Sequence, residues 1–195
     1  MITQYKEFKQ WLETLDHRPR LLLHSCCAPC SSYVLLFLKN YFDITIFYTN
    51  DNIAPQEEYE KRLKEQIRLA RELNIPLIQD SYRPQDYEQA VQGYENQQEG
   101  GKRCYLCYRL RLLKTALKAK ALQMDYFTTT LSVSPYKNSR WINEIGYALE
   151  QELKIGFVYS DFKKEEGYKQ SVALSKEYQL YRQHYCGCIF SKKED

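Results

Sequence analysis

Two kinds of hydrophobic pattern alternate along the chain. Short apolar runs, such as Leu21-Leu22-Leu23, are separated by longer segments in which apolar residues recur every three or four positions. The short runs are typical of strands buried on both faces, and the longer spacing is typical of amphipathic helices. The predicted strands are 21–24, 43–48, 76–79, 126–130 and 157–159. The predicted helices are 4–15, 31–39, 55–73, 84–92, 102–122, 139–152 and 168–180.

Strands that alternate with helices predict an α/β fold, with a mostly parallel sheet flanked by helices. The 195 residues suffice for one full core and are too few for two ordinary domains, so residues 1–195 are predicted to form a single domain. The polar segment 95–101 is predicted to be an exposed loop or lid. Reactive loops in such sheets follow the carboxyl ends of strands, which makes the loop after strand 21–24 a candidate site.

The cysteines are the residues whose distribution is least ordinary. No apolar stretch is long enough to cross a bilayer, and the first residues lack the hydrophobic block of a signal peptide. A cytoplasmic protein is therefore expected, in a compartment that keeps thiols reduced and disfavours a disulfide scaffold. The seven cysteines nevertheless fall into three clusters: Cys26, Cys27 and Cys30; Cys104 and Cys107; Cys186 and Cys188.

The second cluster lies on predicted helix 102–122. Four leucines at helical spacing predict the core-facing side of this helix, and the two thiols point away from it. Those leucines are Leu106, Leu110, Leu113 and Leu117. Cys104 and Cys107 share their side with Arg111, Lys114 and Lys118. Positive neighbours and a helix amino terminus lower the pKa of a thiol, so we expect two metal-binding thiolates that face a cavity.

Spacing alone leaves several chemistries open. Thiolates from the first two clusters suit a structural zinc or a 4Fe–4S cluster, and the directly adjacent Cys26 and Cys27 favour the iron–sulfur cluster. Cys186-Gly187-Cys188 can close only a small strained ring, which is typical of a redox relay, although a second metal knuckle uses the same spacing.

Two other classes of protein remain as alternatives. Cys27-Ala28-Pro29-Cys30 between a strand and a helix resembles a thioredoxin-like thiol–disulfide oxidoreductase, in which Val133-Ser134-Pro135 would form the proline loop. Against that alternative, helix 55–73 and the other five cysteines have no role in such a protein. A zinc-stabilised RNA-binding module is the second alternative.

Charge is distributed unevenly between the two halves of the chain. Residues 1–99 hold 11 Lys and Arg against 15 Asp and Glu, a balance of −4, and residues 100–195 hold 17 against 10, a balance of +7. A basic half indicates an anionic partner or a solvated lysine-rich surface.

Five blocks in the same order resemble the epoxyqueuosine reductases of the QueH type. The blocks are Cys26–Cys30, Arg103–Arg109, Thr128–Asn138, Asp161–Lys164 and Tyr181–Cys188. The resemblance extends from Leu21 to Phe190, with the amino-terminal helix within 1–18 outside it. One departure lies after the second strand, where Asp51 stands in place of the usual proline.

The resemblance implies an adenine-nucleotide hydrolase-like fold. It also implies reduction of epoxyqueuosine in the tRNA anticodon loop to queuosine, with loss of water, as the last step of queuosine synthesis. By position in the motifs, Cys26, Cys27, Cys104 and Cys107 would hold a 4Fe–4S cluster. Cys30 would bind an additional iron beside it, and Cys186 and Cys188 would form a redox-active pair.

The reaction also requires a proton donor, a tRNA surface and an electron donor. Asp161 is the selected candidate acid, and Lys137, Tyr136 and His24 are the other candidates. His24 ends an apolar strand and is interpreted as a buried core histidine. Basic residues on helix 102–122 and the matched Lys137 are expected to meet tRNA phosphates. The residues in question are Arg103, Arg111, Lys114, Lys118 and Lys137. The identity of the electron donor does not follow from the sequence.

Overall fold

A computed structural model describes residues 1–191, in which five strands form one parallel sheet. The strands are β1 (Arg20–His24), β2 (Asp43–Tyr48), β3 (Leu77–Gln79), β4 (Tyr126–Thr129) and β5 (Gly156–Phe157). Their order across the sheet is β3-β2-β1-β4-β5. The chain therefore reverses its direction of winding between β1 and β4, and a crevice forms at the carboxyl ends of these two strands.

Within the described residues, seven helices cover the sheet. They are α1 (Tyr5–Leu12), α2 (Ala28–Leu38), α3 (Gln56–Glu72), α4 (Pro84–Val91), α5 (Lys102–Ala121), α6 (Ser139–Leu153) and α7 (Gly167–Glu177). Short 3-10 turns follow at Leu131–Val133 and Ile189–Ser191. The predicted α/β class and parallel sheet are confirmed, with each predicted element found. No helix within residues 1–191 is long and apolar enough to cross a membrane.

Helix α2 begins three residues earlier than predicted. Cys27 is its N-cap and Pro29 occupies the first turn, where the missing amide hydrogen of proline costs no hydrogen bond. The serines chosen as the predicted start lie inside the helix, buried against the core. Cys30 therefore belongs to the first turn of α2, so that part of the predicted loop is helical.

The two faces of the sheet have different cores. Leu21 and Leu23 point to one face, where aromatic residues of α1 and α2 and the segment after β5 pack together. Leu22 points to the other face, under α5 and α6. This division follows from the two-residue repeat of a strand, which sends neighbouring side chains to opposite faces.

The predicted orientation of α5 is wrong. Leu117 is 49% exposed, whereas Tyr108, Leu112 and Ala116 are buried against the sheet. Small alanines on the buried side allow close approach of helix and sheet, and the predicted leucine row lies mostly at the margin of that contact. The two cysteines consequently belong to the buried side of the helix.

Candidate metal centre and active site

Three sulfurs meet where β1 ends and α2 begins. The Sγ atoms of Cys26, Cys27 and Cys30 all lie within 4.8 Å of one another, with 3.8 Å between the first two. The turn achieves this because Cys26 precedes the helix, Cys27 caps it and Cys30 lies one turn further on. Three sulfurs at this separation form a ligand group suited to a soft metal centre.

Hydrogen-bond donors from three other segments contact the sulfurs of Cys26, Cys27 and Cys104. Thr130 Oγ1 donates to Cys26 Sγ at 3.4 Å, and Gln183 Nε2 donates to Cys27 Sγ at 2.9 Å. The amide of Gly100, in the segment predicted as an exposed loop or lid, donates to Cys104 Sγ at 3.3 Å. Donors to sulfur hold metal-binding thiolates in place and set the potential of an iron–sulfur centre.

Cys104 and Cys107 are buried, at 8% and 6% exposure, and their sulfurs do not belong to the group of three that lies within 4.8 Å. Cys104 belongs to the core group against which Cys26 packs, and Cys107 packs with Cys186 and Cys188. The prediction of lowered thiol pKa values is wrong for these two residues. Burial raises the pKa of Cys104 and raises the pKa of Cys107 to about 12, because it penalises the thiolate.

Arg111 supplies a buried positive charge among the thiols. Its guanidinium donates from Nη2 to Asn50 Oδ1 at 2.5 Å and from Nε to His24 Nε2 at 3.2 Å. Burial alone would lower the pKa of Arg111, but the thiols of Cys107 and Cys26 raise it overall. The side chain is therefore a permanent cation placed to balance the negative charge of metal-binding thiolates.

His24 is neutral and serves to orient Arg111. Burial and the charge of Arg111 lower the pKa of His24 to about 3. Its Nδ1 pairs with Thr129 Oγ1 at 2.7 Å, and its Nε2, which accepts from Arg111 Nε, also lies 3.2 Å from the carbonyl oxygen of Thr49. The interpretation of His24 as a satisfied core histidine, and not an acid catalyst, agrees with these contacts.

The segment that carries the third cysteine cluster is tied to helix α3. Arg62 donates to the carbonyl oxygens of Tyr185 and Cys186, at 3.2 and 3.1 Å, and is held by Glu58 Oε1 at 2.7 Å. Gly187 has a φ of +106°, and a Cβ there would lie 2.8 Å from Arg62 Nη1. Glycine is thus required between the two cysteines, both for its backbone conformation and for the close approach of Arg62.

The two cysteines of this segment have different surroundings. Lys137 Nζ lies 3.0 Å from Cys186 Sγ, and the hydroxyl of Tyr87 lies 2.8 Å from Cys188 Sγ. Cys186 lines a cavity, whereas Cys188 is buried. Tyr87 was not selected from the sequence, because it lies on α4, outside the matched blocks, and no cysteine lies near it in the chain.

A cavity of about 350 Å³ opens onto the sulfurs at the carboxyl ends of β1 and β4. It is lined by Cys26, Cys27, Cys30 and Cys186, together with Lys137, and Tyr136 stands at it with 76% exposure. Glu99 pairs with Lys137 at 3.0 Å and closes part of its wall. This thiol cavity is the candidate active site, and it combines ligands, a fixed cation and space for a substrate group.

Asp161 lies outside the thiol cavity. Its side chain is buried on the face of the sheet that α1 and α2 cover, which we call the aromatic face. It lies near Tyr5 and Tyr159, and its Oδ1 lies 3.2 Å from Lys163 Nζ. The structure therefore brings Lys137 and Tyr136 to the cavity, but not the carboxyl group selected as candidate acid. Asp161 was selected because it lies in a block that matches the family. A match in sequence does not indicate which face of the sheet the side chain points to.

The predicted basic stripe does not form along α5. Arg103 and Arg111, two of the residues predicted to bind phosphate, are buried, so the structure does not present either side chain at the surface. Lys114 pairs with Asp51 and with Asp86, whose Oδ2 lies 2.7 Å from its Nζ. Asp51, the departure from the family pattern, also accepts from the amide of Arg83 at 2.8 Å and so fixes the loop after β2. Lys118 is partly exposed, and the Lys137 side chain faces the thiol cavity.

Fold and site together define a parallel α/β protein with a cysteine-lined cavity at the switch point of its sheet. Solved structures share this fold at low sequence identity. A predicted tRNA methyltransferase subunit from Methanocaldococcus jannaschii aligns with a TM-score of 0.57 at 15% identity, covering 82% of this chain and 75% of that one. The U34-tRNA thiolase NcsA from Methanococcus maripaludis, solved with its [4Fe-4S] cluster, aligns with a TM-score of 0.59 at 10% identity, covering 92% and 64%.

The family is established by sequence. The family model described as "Epoxyqueuosine reductase QueH" matches residues 21–194. The epoxyqueuosine reductase QueH of Streptococcus pyogenes serotype M1 is 42% identical, covering 95% of this chain and 74% of the relative. Those of Staphylococcus aureus and Thermotoga maritima are 40% and 36% identical, covering 93% and 89% of this chain and 79% and 91% of their own lengths. The chain belongs to the epoxyqueuosine reductase QueH family, oxidoreductases that act on tRNA.

Proposed function

We propose that this chain reduces epoxyqueuosine in the anticodon loop of tRNA to queuosine, with release of water, as the last step of queuosine synthesis. The reaction breaks both carbon–oxygen bonds of the epoxide, forms a carbon–carbon double bond and consumes two electrons and two protons. Family membership supports the substrate, and the convergence of cysteines on one cavity supports the redox chemistry. That convergence is the observation that carries the proposal.

The residues proposed to hold a 4Fe–4S cluster are Cys26, Cys27, Cys104 and Cys107. Their surroundings fit such a group, because donors from Thr130, Gln183 and Gly100 already point at sulfurs and Arg111 supplies a buried positive charge. Cys30, whose sulfur belongs to the same group as those of Cys26 and Cys27, is proposed as a ligand of an additional iron. When bound, such a centre supplies electrons one at a time.

Cys186 and Cys188 are proposed to work as a dithiol–disulfide pair. Their oxidation to a disulfide releases two electrons and two protons, which equals the requirement of the epoxide. Cys186 reaches the thiol cavity, and the anchoring of its backbone by Arg62 keeps it there. A separate electron donor then restores the dithiol.

Lys137 is the proposed polar partner of the departing oxygen. Its ammonium lies in the cavity wall, and although burial alone would lower its pKa, the neighbouring Cys186 raises it overall. A cation at this place stabilises negative charge that develops on oxygen. Tyr136, exposed at the cavity, is proposed to stack on the substrate base after the base leaves the anticodon loop.

Anaerobic purification followed by iron and acid-labile sulfide analysis tests the cofactor, and conversion of tRNA-borne epoxyqueuosine tests the activity. We expect a brown protein whose colour and turnover are both lost in Cys104→Ala. The matched control is Val34→Ala, which removes a small buried side chain from the aromatic face and should retain both.

The two alternative classes give different outcomes. A colourless protein that still turns over after replacement of Cys104 and Cys107 would indicate a thiol–disulfide oxidoreductase. Zinc on analysis, with tight RNA binding and no redox turnover, would indicate a zinc-stabilised RNA-binding module. Either outcome would contradict the proposed function.

A further inference from the structure

The two cysteines of the proposed redox pair differ in their access to solvent. Cys186 lines the thiol cavity, whereas Cys188 is 6% exposed and does not line that cavity. Cys188 belongs instead to a small buried cluster with Tyr87, Val91 and Cys107. A molecule that enters the thiol cavity therefore meets the sulfur of Cys186 and not that of Cys188.

The backbone of residues 186–188 is held in place by three neighbours. In chain order, its carbonyl oxygens accept hydrogen bonds from Arg62 Nη1 at 3.1 Å, from the Ala54 amide at 2.9 Å and from Ser191 Oγ at 2.8 Å. Such anchoring leaves rotation of the two side chains as the main way in which the sulfurs move. We therefore expect the difference in access to persist when the pair is oxidised.

Each sulfur of the pair also lies beside a group that stabilises a thiolate. The Tyr87 hydroxyl lies 2.8 Å from Cys188 Sγ, and the Lys137 ammonium lies 3.0 Å from Cys186 Sγ. A hydrogen bond to a charged acceptor is about twice as strong as one between neutral groups, so a donor of this kind makes a sulfur a better leaving group. The dithiol thus has one donor ready for each sulfur that disulfide exchange releases.

Charge at the thiol cavity favours an anionic reactant. Four Lys and Arg side chains line it, whereas Glu99 supplies the one carboxylate among the described lining residues. The four cations are Arg62, Arg111, Lys137 and Arg182. Of these, Arg182 is exposed, and its guanidinium donates to the neutral hydroxyl of Ser175 at 3.1 Å. A cleft lined by one sign of charge concentrates ions of the opposite sign, and a thiolate, the reactive form of a thiol, is such an ion.

We propose that the electron donor of this protein is a thiol, which attacks Cys186 of the oxidised pair while Tyr87 donates a hydrogen bond to the departing sulfur of Cys188. The attack joins the donor sulfur to Cys186 Sγ, breaks the bond between the two cysteines and leaves Cys188 as a thiolate. A second donor thiolate then attacks the donor sulfur of the mixed disulfide and releases Cys186 as a thiolate beside Lys137. The donor is oxidised to a disulfide, and its two electrons restore the dithiol. The two protons that the donor thiols lose to solvent are regained from solvent by the two cysteines.

The inference rests on the proposed function, because that reaction is what oxidises the pair. A small thiol such as glutathione and a dithiol protein such as thioredoxin carry the same chemistry. Donor and tRNA would use the thiol cavity in turn, which predicts ping-pong kinetics.

Trapping of the mixed disulfide tests which sulfur is attacked. Protein purified anaerobically is treated with glutathione disulfide, and the labelled cysteine is located by peptide mass spectrometry. In Cys188→Ser we expect a stable mixed disulfide at Cys186. In Cys186→Ser we expect Cys188 to be labelled at least about 10-fold more slowly, because exchange requires access to the sulfur. Equal rates of labelling at the two cysteines would overturn the inference.

Tyr87→Phe tests the donor to the departing sulfur, since it keeps the ring and removes the hydroxyl. We expect reduction of the pair by glutathione or thioredoxin, followed without tRNA by quenched thiol alkylation, to slow about 10-fold, the effect of one lost hydrogen bond to a charged group. Labelling of Cys186 in the Cys188→Ser background should not change, because no sulfur of the pair departs in that reaction, whereas a loss of structure would slow both. The matched control is Tyr147→Phe, which removes a hydroxyl that donates to the carbonyl oxygen of Ile2 and should behave as the unmodified protein does.

Turnover of tRNA-borne epoxyqueuosine with a single reductant separates the remaining outcomes. Faster turnover with glutathione assigns the donor to small thiols, and faster turnover with thioredoxin assigns it to a dithiol protein. Equal reduction rates in the unmodified protein and Tyr87→Phe would overturn the inference. If neither thiol sustains turnover while dithionite does, the inference is also overturned and the proposed function survives. If dithionite gives no conversion either, the proposed function itself fails.

Discussion

The two faces of the sheet bury different kinds of side chains. On the aromatic face, Phe8, Phe42 and Phe162 fill the space beneath α1 and α2 with apolar rings. On the thiol face, the buried side of α5 places Arg111 and Cys107 where a core would ordinarily have aliphatic residues. The strand order is common to both faces, so the difference lies in the side chains that the helices and loops present to each face.

This contrast separates stability from chemistry. Apolar packing contributes to the free energy of unfolding in proportion to buried area, whereas a buried cation is costly unless negative groups offset it. Proteins break the rules of core composition mainly at functional sites. We therefore expect substitutions on the aromatic face to change stability, and substitutions on the thiol face to change metal binding and turnover.

The largest effect on stability is expected from Phe8→Ala. Phe8 is completely buried in contact with aromatic residues of α1, α2 and the segment after β5. Removal of a buried phenyl ring costs about 3–5 kcal/mol of unfolding free energy. Urea unfolding measures the loss, and iron content per folded molecule should stay unchanged.

Leu117→Ala is the control for Phe8→Ala, because Leu117 is 49% exposed and its truncation should cost less than about 0.5 kcal/mol. Loss of iron from folded Phe8→Ala would show that the two faces are not independent. It would also show that α1, which precedes the family match, takes part in the site.

The next largest effect is expected from Arg111→Met, on the thiol face. Methionine keeps most of the volume but removes the charge that faces Cys26 and Cys107. We expect iron affinity to fall about 10- to 100-fold, the range seen when groups that support metal ligands are removed. Stability of the metal-free protein should change by less than in Phe8→Ala, because the gain from losing a buried charge opposes the loss of the donor to Asn50 and His24.

Competition with an iron chelator measures the affinity of Arg111→Met, and Arg109→Met is the matched control because Arg109 is exposed on the same helix. Equal chelator sensitivity of the two variants would mean that Arg111 serves packing only. The buried side of α5 would then contribute to stability, as the aromatic face does, and not to metal binding.

Sequence patterns predicted the sheet, the seven helices and the first cysteine cluster correctly. The run Leu21-Leu22-Leu23 identified the central strand, and the parallel arrangement followed from alternation alone. Cys26 was placed correctly at the carboxyl end of that strand because only local order in the chain was needed. These successes concern features set by neighbours in sequence.

The errors concern features set by contacts distant in the chain. For α5, leucine spacing indicated one buried side, but the sheet accepts the side carrying Tyr108 and Ala116, and with it Arg111. A basic residue on a predicted helix is normally expected to be solvated. Arg111 is buried because Asn50 and His24, in two other segments, accept its hydrogen bonds. Tyr87 was missed for the same reason, since its partner Cys188 is 101 residues away.

The smallest effect is expected where the sequence placed an acid, at Asp161. Its carboxyl group lies on the aromatic face and pairs with Lys163, whereas Lys137 lies in the thiol cavity beside Cys186. Asp161→Asn keeps the shape of the side chain and should change kcat by less than about 3-fold, since a carboxyl group that does not line the thiol cavity contributes little to general acid catalysis there. Lys137→Met should lower kcat about 100-fold or more, the usual contribution of a positioned charge or acid. Single-turnover conversion of tRNA-borne epoxyqueuosine compares the two variants at equal iron content. If Asp161→Asn were the more damaging change, the division between the two faces would fail, because a residue of the aromatic face would then be acting on the substrate.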